Sequence, residues 1–198
     1  MNVISNILYW ISTGLLVPVI VLLIFFFFRA LLLIGMFFGE YIAEHKTSSM
    51  LDEKLKHMET DEVVPFIEGL SDKSDSMVIR YMKEIVKARD SMARVDMLVA
   101  DYELAAEKNI APSKVMTKMG PILGLMGTLI PMGPALVGLA AGDIASMAYN
   151  MQVAFATTVV GMVVSAIGFI TQQVKERWAL HSLTLLDFVV HTIKEQDK

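Results

Sequence analysis

Asp143 is the only charged residue between Lys118 and Lys175. It separates two uncharged stretches of 24 and 31 residues, 119–142 and 144–174. About 20 consecutive apolar residues carry a helix across a bilayer, so each stretch is long enough to span. The Gly142-Asp143 pair between them is a turn signal. A hairpin of two membrane helices is therefore the feature around which the rest of the chain must fold. These helices are not uniformly greasy. Glycine and hydroxyl residues recur at helical spacing, which lets helices approach closely and places hydroxyls in the protein interior.

A third apolar segment lies at the amino terminus. Residues 1–28 carry no charge, and Val3–Phe28 is long enough to span. A cleavable signal would begin with basic residues, have a shorter apolar run and end in small residues. Here no Lys or Arg precedes the run and Phe25–Phe28 closes it. It reads as a retained anchor, with Pro18 expected to kink it, as a membrane helix tolerates. Arg29 follows, then a second apolar run, Ala30–Gly39. Arg29 reads as an interfacial anchor whose guanidinium reaches the headgroups, in preference to an ion-pathway residue.

Composition agrees with a membrane protein. Hydrophobic residues make up 55% of the chain and its mean hydropathy is +0.55, above the usual soluble range. Between Lys46 and Lys118, by contrast, 12 Lys/Arg and 14 Asp/Glu give a mixed-charge, water-facing segment. Pro65 and the Ser71–Ser76 cluster are expected to break it into loops. Met77–Asn109 carries Ile79, Met82, Ile85/Val86, Met92, Val95, Leu98/Val99 and Tyr102 at spacing that predicts one amphipathic helix. Beyond the hairpin, Val174, Trp178, Leu185, Phe188/Val189 and Ile193 predict that the last membrane helix continues into water and packs on this middle segment.

The expected architecture is an all-α membrane protein with three transmembrane helices and long helices extending into the cytoplasm. Residues 1–39 form the first span with an interfacial extension, and 40–118 a cytoplasmic helical domain. The second and third spans occupy 119–142 and 143–172, and a cytoplasmic helix closes the chain over 173–198. Sixteen of the 17 Lys/Arg lie within 46–118 or after 173, so the positive-inside rule puts those parts in the cytoplasm and the amino terminus outside. The expected location is the plasma (inner) membrane, with lipid as the surrounding partner.

Several chemistries are set aside. Without cysteine there is no disulfide or thiolate metal site. His45, His57, His181 and His191 lack the spacing of a zinc motif. No phosphate loop, nucleophile elbow or triad spacing appears, so no catalytic residue and no enzymatic activity are expected. The balanced charge argues against nucleic acid, which wants a basic face.

The residues left to carry chemistry lie in the hairpin. Asn150, Ala154, Thr157 or Thr158, Gly161, Ser165, Gly168 and Gln172 share a face of the last span, and Gly120, Gly124 and Thr128 a face of the one before. Thr128 is the lone polar side chain between Lys118 and Asp143. Such hydroxyls can hydrate or relay a cation. They can equally bond a carbonyl of their own helix while the small residues merely pack. Periodicity leaves pore lining and packing equally open. Asp143, after Gly142, reads first as a helix N-cap and alternatively as an acid collecting cations at the outer mouth. No Asp or Glu lies inside the spans. A proton-carrying channel usually needs one, so any titrating carboxylate must come from another polypeptide.

Pro121, Gly124, Leu125, Gly127 and Thr128 match a Pro-x-x-Gly-Leu-x-Gly-Thr pattern, and Ala156-Thr157-Thr158 with Gly161 an Ala-Thr-x-x-Gly segment. On these residues the chain resembles the MotA/TolQ/ExbB proton-channel family, in its ExbB/TolQ branch, with Thr158 on the family threonine. The resemblance covers roughly 60 residues. It implies a ring of five such subunits around a dimer of a single-span ExbD/TolR/MotB-like protein carrying an aspartate. Flow of H+ or Na+ past that aspartate drives rotation or other mechanical work, including protein transport, with no bound cofactor. Thr128 and Thr158 would face the lumen. TolQ and ExbB proteins carry a glutamate five residues before the third-span threonine, where this chain has Val153, and Pro131-Met132-Gly133-Pro134 also departs from their pattern. The alternative from another class is a non-conducting membrane scaffold whose small-residue stripe only mediates assembly.

Overall fold

The computed structural model describes residues 2–58, 60–70 and 76–196. Among them all regular structure is helical: α1 (Asn2–Gly14), α2 (Leu16–His57), α3 (Thr60–Gly69), α4 (Met77–Lys87), α5 (Met92–Ala140) and α6 (Ile144–Gln196). Three helical runs are long and apolar enough to cross a membrane: Ile7–Leu55, Met92–Ala140 and Ile144–Gln196.

Two prolines mark the helices. The first apolar run is interrupted at Leu15 and restarts at Leu16, so Pro18 sits in the first turn of α2. The reason is the carbonyl four residues back: Pro18 has no N–H to offer Gly14, whereas Val19 N–H still reaches the Leu15 carbonyl at 3.1 Å. Pro65 does not form the loop break expected of it. It lies inside α3, where Val63, Val64 and Ile67 are buried, and that burial holds the short helix together despite the missing donor. Ser71–Asp75 lie outside the described residues, and Ser76 is the N-cap of α4.

Met77–Asn109 is two helices rather than one. α4 ends at Ala88, whose N–H reaches the Glu84 and Ile85 carbonyls, and α5 begins after Ser91. Five residues lie between Val86 and Met92, more than one helical turn, and they include the polar Arg89-Asp90-Ser91. The apolar positions themselves were well placed: Ile79, Met82, Ile85, Val86, Val95 and Tyr102 are all buried.

The described residues form two compact units. The first runs through Gly35 and resumes over Pro112–Gln172. In it Val19 and Leu23 of α2 pack with Leu123 and Ile130 of α5, and Ala30 and Leu33 with Met116 and Val164. Its outward side chains are large and apolar, among them Phe25, Phe28, Leu125, Leu129, Phe155 and Met162. Lipid is a natural solvent for such a surface, so small residues and shape rather than water-driven burial set the helix contacts. The second unit takes Met36–Ala111 and the chain from Gln173 onward. Its core joins α2, α3, α4, α5 and α6 through Leu51, Leu55, Ile67, Met82, Ile85, Val95, Leu186 and Val189, each at most 4% exposed.

The α5–α6 link is tight. Gly142 adopts a φ of 75°, a left-handed conformation that glycine tolerates. The Asp143 N–H reaches back to the Gly138 carbonyl at 2.9 Å, closing the end of α5.

Candidate functional site

The first unit is built along a seam where α5 and α6 lie almost backbone to backbone. A Cβ placed on Gly120 would meet the Gly161 carbonyl oxygen at 2.6 Å and the Ser165 nitrogen at 2.8 Å. One on Gly161 would meet the Gly120 carbonyl at 2.6 Å and the Gly124 Cα at 2.9 Å. At Gly127 the obstacle is the Thr157 side chain, at 2.5 Å, and at Gly168 it is the Thr117 nitrogen, at 2.6 Å. Gly124 has room for a methyl in ordinary contact, its nearest neighbours being 3.5 Å or more away. Pro121, beside Gly120, is exposed.

Hydrogen bonds stitch the same seam. Ser165 Oγ donates to the Thr117 carbonyl at 3.1 Å. Thr171 Oγ1 lies 3.1 Å from Ser113 Oγ, and both residues are buried. Ser113 and Thr171 were not singled out from sequence. They extend the three- and four-residue steps of the two stripes by one more turn, Ser113 before Thr117 and Thr171 after Gly168, which is the signal that could have found them.

The candidate pore residues are thereby sorted. Thr157 is buried and donates to the Val153 and Ala154 carbonyls at 3.0 and 2.9 Å. Ser165 is occupied by α5. Thr158, next in sequence to Thr157, remains half-buried with its hydroxyl on the Ala154 carbonyl at 3.0 Å. Thr128 is likewise half-buried, bonded to the Leu125 carbonyl at 2.7 Å. Gly124 faces the Thr158 backbone across the seam, and Thr128 lies one turn along α5 from Gly124. Asn150 stands apart, its amide donating to the Ser146 carbonyl at 2.8 Å. Asp143 caps α6 as its place after Gly142 suggested, with Oδ1 accepting the Ser146 N–H at 3.0 Å.

A second polar cluster belongs to the other unit, beyond the apolar stretches. Lys175, nine-tenths buried, pairs with Glu40 at 2.6 Å and with Asn109 Oδ1 at 3.2 Å. These groups help line a cavity of about 560 Å³ with Glu44, Tyr102, Trp178 and Ser182. Burial, reinforced by the Glu40 charge, holds the Glu44 carboxyl above its ordinary value, while His181 and the Ser182 hydroxyl oppose the shift. Burial likewise raises Tyr102, against a hydrogen bond with Ser182. Among the described residues no three His, Asp or Glu side chains converge as a metal site.

The MotA/TolQ/ExbB proton channel family matches this chain over residues 70–184, from just before α4 into α6. No curated protein and no solved structure gave a significant match. The family implies an ion-channel subunit in a multi-pass membrane protein, which the three long apolar helices fit. Since the match takes in more than half of the chain and the whole glycine–hydroxyl seam, the chain belongs to the MotA/TolQ/ExbB proton channel family.

Proposed function

We propose that the chain is one subunit of a proton channel complex that converts ion-motive force into mechanical work. Five copies form a ring around a dimer of a single-span partner, and the partner brings the titrating aspartate that these apolar segments lack. The amino terminus and the Gly142-Asp143 turn face outward, and the charged segments 40–118 and 173–198 face the cytoplasm, following the Lys/Arg bias. Thr128 and Thr158 line the lumen and pass the ion to and from the partner's carboxylate.

One observation carries this reading: the seam separates the hydroxyls into two groups. Thr157 and Ser165 are committed to α5–α6 packing. Thr128 and Thr158 stay half-buried beside Gly124 without bonding the other helix. They are the hydroxyls that remain available to a neighbouring molecule.

The test is proton flux into vesicles containing the chain, with and without its single-span partner, alongside the mass of the solubilised complex. We expect flux only with the partner, from a ring of five that takes up two partner chains. Losing a cation-solvating hydroxyl costs on the order of 1–3 kcal/mol, so a Thr128→Val/Thr158→Val variant should lose roughly tenfold or more in flux with the complex mass unchanged. Full flux in that variant, or a monomer or dimer that ignores every partner, refutes the proposal and leaves the non-conducting scaffold.

A further inference from the structure

The cavity of the second unit is a site that the channel reading does not use. Its walls come from α2, α5 and α6, with the start of α4 closing one side. At about 560 Å³ it falls in the range of small-molecule sites, and it is far too large for a bare ion. Its charges are unevenly compensated. Lys175 is spent on Glu40 and Asn109. Glu44, one turn along α2 from Glu40, meets the Ser182 hydroxyl, which it shares with Tyr102, and the charge of His181, whose Nε2 is itself paired with Asp52 Oδ2 at 3.2 Å. Lys46 lies at the wall but is exposed and solvated. Among the described residues the half-buried Glu44 thus has no cation paired directly with it, since Lys175 is held by Glu40 and His181 by Asp52.

We propose that this cavity binds a primary alkylammonium group, with the cation on Glu44 and its carbon chain against the aliphatic wall. A metal ion would want several oxygen ligands converging on it, and here one carboxylate is joined by aromatic and apolar surface. Trp178 and Tyr102 add aromatic surface to the wall, with one face of Trp178 stacked on Phe37, and aromatic rings attract an organic cation. Val78, Ala106 and Ile110 offer a surface for methylenes. An anion is disfavoured by Glu40 and Glu44 together. The ammonium can come from a soluble diamine or from an ethanolamine lipid headgroup, since both present the same cation.

The chain holds two tryptophans, Trp10 and Trp178, so Trp10→Phe leaves Trp178 as the only reporter. Full-length Trp10→Phe protein in phosphatidylglycerol nanodiscs should show a saturable change in emission on titration with putrescine. Glu44→Gln should weaken it tenfold or more, and Ala179→Leu, which pushes a bulkier side chain into the cavity from its wall, should weaken it severalfold while the melting temperature stays near that of the parent. In phosphatidylethanolamine nanodiscs an emission already shifted and insensitive to putrescine identifies the lipid headgroup as occupant. An unshifted emission with the same putrescine response identifies the soluble amine. The proposal is overturned if neither nanodisc gives a saturable change, if NaCl at equal ionic strength reproduces it, or if Glu44→Gln responds like the parent. None of these outcomes depends on ion flux.

Discussion

Gly120→Ala tests the backbone-to-backbone seam most directly. The added methyl would stand 2.6 Å from the Gly161 carbonyl oxygen and 2.8 Å from the Ser165 nitrogen, and both obstacles are main chain that no rotamer change can move. Restoring a 3.4 Å contact requires α5 and α6 to part locally by about 0.8 Å. Overpacking of this kind costs about 1–3 kcal/mol. The same opening weakens the Ser165–Thr117 hydrogen bond, worth about 0.5–1.5 kcal/mol. Alanine's better helix propensity returns up to about 1 kcal/mol. The net loss is roughly 1–3 kcal/mol, or roughly 3–10 °C in melting temperature for a chain of this size. The assay is heating of the full-length protein in detergent, followed by the fraction surviving in the folded peak on size exclusion. Gly39→Ala is the control, because nothing lies within 4 Å of a Cβ there, and it should melt at or slightly above the parent. If Gly120→Ala melts as high as Gly39→Ala, the two helices do not touch through their backbones and the seam is misread.

Three further outcomes follow from the same geometry. Gly127→Ala meets the Thr157 side chain rather than backbone, so pairing it with Thr157→Gly should recover at least about 1 kcal/mol of coupling in a double-mutant cycle, read by the same melts. Leu186→Ala empties a fully buried position in the second unit and should cost about 2–5 kcal/mol, seen as early loss of protease protection in residues 77–111. Glu44 has its carboxyl raised in the folded state, so the fold holds that proton more tightly than the unfolded chain does. The resulting stability is fully present below the unfolded value near 4.5 and is lost as pH rises through the folded-state value. Glu44→Gln should therefore raise the melting temperature at pH 7 to 8 and leave it unchanged at pH 4; an equal gain at both ends would show that the carboxyl's charge is not the cause.

What could be read from sequence divides along physical lines. The membrane helices were legible because length and absence of charge are properties of a single segment, and the α5–α6 turn because Gly142-Asp143 carries its own conformational signal. The glycine stripe was legible as a face, since helical period alone places Gly120, Gly124 and Gly161. Which of Thr157 and Thr158 enters the seam was not. Adjacent residues differ by only 100° around the helix, and the choice belongs to the rotation of α6 against α5. The effect of Pro18 falls on a carbonyl four residues away, so the interruption appears at Leu15 rather than at the proline itself. The buried Lys175 was invisible because its partners, Glu40 and Asn109, stand on other helices and no local pattern announces them.

The hydroxyls of Thr128 and Thr158 each possess a single hydrogen, and each has already given it to a carbonyl of its own helix. What they can present to anything passing is lone pairs alone. A surface of oxygens whose donors are turned inward welcomes a hydronium or a dehydrated cation and offers nothing to chloride. In the proposed lumen, the direction in which these two side chains spend their only proton favours cations over anions, alongside the partner's carboxylate.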